Sequence, residues 1–141
     1  MEVVVVTGLN RNKSAIAKCC YTLALAGFKE LNNWAEHDAH PRDITDAVEN
    51  EIFCLSRLRP KGKFYLKTNS DHAINALRVL RFEGKVDVLK IKHFGPDGKE
   101  YDIEVGADGE PSSYPDGFLD EWPRMMGGLA PKTNGKEAFG V

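Results

Sequence analysis

The chain has 141 residues, 42% of them apolar and 28% charged, with a formal net charge of −2. That is ordinary for one globular domain with a real core, and it leaves no overall basic footprint for nonspecific nucleic-acid binding. No run of about eighteen apolar residues predicts a membrane span. The N-terminus lacks the basic segment and cleavage site of a secretory signal. The three cysteines, Cys19, Cys20 and Cys54, fit neither a disulfide framework nor a metal spacing, so they read as reduced core cysteines in a cytoplasmic protein.

The chain opens on a strand. Val3 to Val6 is an unbroken apolar run of the kind buried on both faces of a parallel sheet. After Thr7 and Gly8 comes a polar turn, Leu9-Asn10-Arg11-Asn12, and Lys13-Ser14 then starts a helical stretch. Strand, turn and Lys-Ser at a helix start form the layout of a phosphate-binding P-loop. There, backbone N–H groups face the phosphates, the lysine neutralises their charge and the serine hydroxyl ligates magnesium. Counted back from Lys13, Thr7 and Asn12 stand where the motif G-x-x-x-x-G-K-[ST] has glycines, and from Gly8 the loop is one residue short. The candidate nucleotide contacts are therefore Gly8, Asn10, Asn12, Lys13 and Ser14. The competing reading is that a buried strand must turn into its helix somehow, and Lys-Ser stands there by chance.

Residues 14–26 predict a helix with Ile16, Cys19, Cys20, Leu23 and Ala24 on one face, closed by Gly27. Residues 28–35 are weakly patterned and predict a second strand. Glu36-His37-Asp38-Ala39-His40-Pro41 gathers histidines and carboxylates in an order that fits no standard metal motif, so it reads first as a polar loop with exposed histidines. Residues 43–58 predict an amphipathic helix with Ile44, Val48, Ile52 and Leu55 buried and Asp43 as its cap.

Residues 63–68 predict a strand and residues 71–82 a helix capped by Ser70. Ile74, Leu77 and Leu80 point inward there, with Arg78 and Arg81 on a solvated face. Val86 to Phe94 predicts a strand, and the alternating residues 101–105 predict its hairpin partner across the Gly95-Pro96-Asp97-Gly98 turn. Residues 112–123 carry three aromatics and predict an ordered strap, and residues 125–141 a flexible tail beyond one domain of residues 1–124.

The order β-α-β-α-β-α-β-β predicts a mostly parallel sheet between helices with a late antiparallel hairpin. Ligands of such sheets bind at the carboxyl ends of the strands. Thr7-Gly8, the 36–41 loop and Thr68-Asn69-Ser70 fall there.

Residues 36–121 resemble the C-terminal part of the standalone ABC-type ATPases of the RecF/SMC-like, overcoming-lysogenization-defect group, often found in phage-defence loci. The likeness lies in Glu36-His37-Asp38-Ala39-His40-Pro41 and in Thr68-Asn69-Ser70-Asp71-His72, which runs on to Asn75 and Arg78. It continues in Asp108-Gly109 and in Tyr114-Pro115-Asp116-Gly117-Phe118-Leu119-Asp120-Glu121. The resemblance implies a three-layer P-loop NTPase-like α/β fold binding ATP or GTP with Mg2+. Taken together with the P-loop-like turn, it points to Ser14 and Asp38 on the metal, Glu36 as the catalytic base and Asn69 on the γ-phosphate.

Two departures bear on turnover. Asn69 stands where the family has a histidine, and it carries no proton. Only residues 15–35 separate the loop from the Glu36 segment, so the stretch bearing the family's signature is absent. Three functions follow. One is a nucleotide-binding protein with weak or absent hydrolysis. Another is a non-catalytic remnant that pairs with a full-length ATPase relative or with itself. The third is a small nucleotide or nucleoside kinase, suggested by the Lys-Ser turn and its helix but lacking an arginine-rich lid.

Overall fold

A computed structural model describes residues 1–31 and 41–119. Five strands form one sheet: β1 (Glu2–Thr7), β2 (Lys29–Glu30), β3 (Lys63–Lys67), β4 (Val88–Phe94) and β5 (Glu100–Val105), in the order β2-β3-β1-β4-β5. All neighbours are parallel except β4 and β5. Three helices connect them: α1 (Lys13–Leu25), α2 (Pro41–Leu58) and α3 (Asp71–Phe82).

The layering follows from the handedness of parallel crossovers. From β1 the chain passes over the place of β3 to reach β2, and from β3 it passes back over β1 to reach β4. Right-handed connections running in opposite directions lie on opposite faces of the sheet. Accordingly, Ile16 and Leu23 of α1 pack with Val4, Val6, Tyr65 and Phe94. Ile44, Val48 and Ile52 of α2 join Ile74, Leu77 and Leu80 of α3 over Val3, Val5, Leu66 and Ile91. The valine run is split residue by residue between two cores, which is why it shows no alternation.

Among the described residues, no helix crosses β4 and β5 on the α1 side. That half of the sheet carries cross-strand charges instead: Lys90 opposite Glu104, and Lys92 bonded to Asp102 at 2.9 Å. The strict alternation of residues 101–105 has this cause, since one face packs and the other is wet.

Several expectations need correction. The second strand is only Lys29–Glu30, with residues 32–35 outside the described residues. Asp43 lies inside the first turn of α2 rather than capping it, because the helix starts at Pro41. Ala24 and Cys54 are exposed, and Cys19 and Cys20 are only half-buried. Val86 is buried but precedes β4, which begins at Val88. Residues 125–141, Trp122 and the histidines His37 and His40 lie outside the described residues.

Candidate functional site at the carboxyl ends of β1 and β3

Connections leave β1 and β3 in opposite directions, and adjacent strands that diverge in this way open a crevice at their carboxyl ends. Residues 8–12 line one side of it. Gly8 has φ +82°, and a Cβ there would fall 2.1 Å from the carbonyl oxygen of Phe94, so only glycine fits. Arg11 N–H donates to the Gly8 carbonyl at 3.2 Å and closes a four-residue turn. Asn12 caps α1, its side-chain oxygen accepting from Ala15 N–H at 3.1 Å.

Asn69 lines the other side, one residue beyond Thr68, whose N–H donates to Val6 O across the β1–β3 junction at 2.9 Å. The Asn69 carboxamide oxygen accepts from Gly8 N–H at 3.1 Å and from Leu9 N–H at 2.9 Å. Two successive backbone N–H groups therefore converge on one oxygen. Thr68 is fully buried, and its hydroxyl accepts from Ser70 N–H at 2.9 Å. Ser70 in turn caps α3, accepting from Ala73 N–H at 3.3 Å.

Among the residues singled out from the sequence, Gly8 and Asn69 meet directly. Asn12, Lys13 and Ser14 stand together at the start of α1, with Lys13, Ser14 and Asn10 exposed. Glu36 and Asp38 lie outside the described residues, so the expected magnesium set is represented within them by Ser14 alone.

Two buried polar side chains were not expected from the sequence, and only the first of them lies at this end. His93, 1% exposed, presents its Nε2 3.0 Å from the carbonyl oxygen of Asp116, with Phe118 edge-on at a 5.6 Å centroid separation. This ties the strap to the rim next to the crevice, and Gly117 lies against the Arg11 guanidinium. The period of two through Leu89, Ile91 and His93 is the signal that would have placed the histidine inward.

Arg78 is the other, and it corrects the expectation of a solvated face: it is 8% exposed. It donates to Gly109 O at 2.8 Å and to Asn75 Oδ1 at 2.9 Å, and it faces the Glu110 carboxylate at 3.6 Å. Tyr114 donates to the same carboxylate at 3.1 Å, and burial pushes its hydroxyl up to about 12. Asn75, Arg78, Val79, Phe82 and the 108–110 turn line a cavity of about 350 Å³ here, away from the crevice.

No protein-family model, curated protein or solved structure matches this chain.

Proposed function

We propose that the protein binds the phosphates of ATP or GTP with magnesium in the crevice between β1 and β3, and turns the nucleotide over weakly or not at all. The observation that carries this reading is the convergence of Gly8 and Leu9 N–H on a single oxygen. Successive N–H groups aimed at one point make a nest suited to an anionic oxygen. Hydrogen bonds to such an anion are roughly twice as strong as neutral ones.

Lys13 supplies charge to the phosphates, Ser14 with Asp38 holds the metal, and Glu36 is the base. Poor turnover follows from the absence of a protonatable group at Asn69 and of a segment that would complete the site around the γ-phosphate, since phosphoryl transfer depends on positioning and charge neutralisation. The free cysteines fit a reducing cytoplasmic compartment. Calorimetric titration with Mg-ATP and Mg-GTP tests the reading. Lys13→Ala is expected to weaken binding at least about tenfold. Equal heats from the native protein and the variant would overturn it.

A second reading, a non-catalytic module that pairs with a full-length ATPase relative or with itself, is favoured by another observation. Tyr21 and Leu25, one turn apart on α1, are 66% and 71% exposed. Two exposed apolar side chains a turn apart, on a helix already buried on its inner face, are suited to docking against a partner. Under this reading nucleotide titrations are flat and Tyr21→Lys disrupts the assembly seen by sedimentation. A monomer at high concentration that recovers no ATPase relative in a pull-down would count against it.

A further inference from the structure

We infer that Asn69 is a latch on the phosphate nest, so that the native crevice is self-occupied and an anion binds only when this side chain has swung out. The inference rests on the nucleotide reading above and adds the regulation of that site. Asn69 reaches the nest from 61 residues away along the chain, so the contact is tertiary and depends on the β1–β3 pairing. Its carboxamide oxygen stands where a phosphate oxygen would accept from Gly8 and Leu9 N–H.

The surrounding backbone is held without it. Thr68 N–H is fixed on Val6 O, Ser70 N–H on the Thr68 hydroxyl, Arg11 N–H on Gly8 O, and Gly8 rests against the backbone of Phe94. Asn69 itself is exposed. Rotation of its side chain alone therefore empties the nest, with no strand or helix displaced.

An anion and the carboxamide compete for the same two donors, so the apparent affinity is the intrinsic one reduced by the open fraction. Two neutral hydrogen bonds correspond to a reduction of roughly 5- to 150-fold. A phosphate recovers this through charge-assisted bonds that a neutral ligand cannot make. The latch thus screens for charge as well as limiting affinity.

The test uses the full chain, with Mg-ATP and inorganic pyrophosphate as probes and amide exchange at Gly8 and Leu9 as a second readout. Asn69→Ala is expected to speed exchange at those two amides, leave the core amides of Val5 and Leu66 unchanged, and tighten binding of both probes by roughly 5- to 150-fold. Asn69→Asp keeps the oxygen in place with a negative charge and is expected to abolish binding while protection persists. If Asn69→Ala does not fold, Asn69→Ser serves in its place.

Were Asn69 a ligand contact rather than a latch, its removal would weaken binding. Equal or weaker binding by the alanine variant therefore overturns the latch and leaves the nucleotide reading standing. No binding by the native protein or the alanine variant overturns the nucleotide reading, and the latch with it.

Discussion

Gly8 is where one residue fixes the geometry of the crevice. Its φ of +82° and the 2.1 Å approach of a hypothetical Cβ to Phe94 O act together. Gly8→Ala is expected to lose more than about 2 kcal/mol in urea unfolding, because both left-handed backbone and backbone overlap oppose it. Gly117 has the same φ, but a Cβ there meets only the movable end of Arg11. Gly117→Ala should therefore cost about 1–2 kcal/mol and less than the Gly8 change. Arg78→Ala leaves Gly109 O, Asn75 and the Glu110 carboxylate without their shared partner. A loss of about 2–4 kcal/mol is expected from urea titration, and Arg78→Lys should recover only part of it, since an ammonium cannot reproduce the guanidinium fork.

At the scale of elements, the strap has, among its described residues, no ladder to hold it beyond a bridge between Val105 and Pro111, together with the Ser112 bonds to Glu104. Its distal part is held by side chains: Phe118 buried against His93, His93 on Asp116 O, and Tyr114 against Phe118. Removing the Phe118 ring takes away the apolar anchor and one face of the histidine's surroundings. Phe118→Ala is expected to cost about 3–5 kcal/mol and to expose residues 112–117 to limited proteolysis at a rate well above that of the native protein. Unchanged proteolysis would show that the strap is held from elsewhere.

For the molecule as a whole, two half-covered groups make alkaline pH destabilising. Burial against α1's face of the sheet, with Glu100 adding to it, raises the Cys19 thiol from 9.0 to about 11. Burial raises the Tyr114 hydroxyl from 10.0 to about 12. In both cases the folded protein holds its proton where the unfolded chain has released it. The contribution is therefore complete below pH 9 and is lost as pH rises through 11 and 12. Unfolding free energy should fall over that window, and Cys19→Ala should flatten the part between 9 and 11. The same raised thiol predicts slow alkylation of Cys19 at pH 8 beside the exposed Cys54, measured by mass spectrometry.

The sequence by itself determined the element order and the two periodicities: apolar runs for strands buried on both faces, alternation for β5, and 3.6-residue stripes for α2 and α3. It also determined the turn residues and the helix cap at Ser70, because these are local properties of φ, ψ and side-chain spacing. Only the tertiary structure decided that β3 lies against β1 and so brings Asn69 onto Gly8 and Leu9. It decided too that Arg78 turns inward to a loop 31 residues on, and that His93 grips the strap. Those contacts join residues far apart in the chain. Each depends on which strands neighbour which and which way the crossovers run, and no local pattern encodes that.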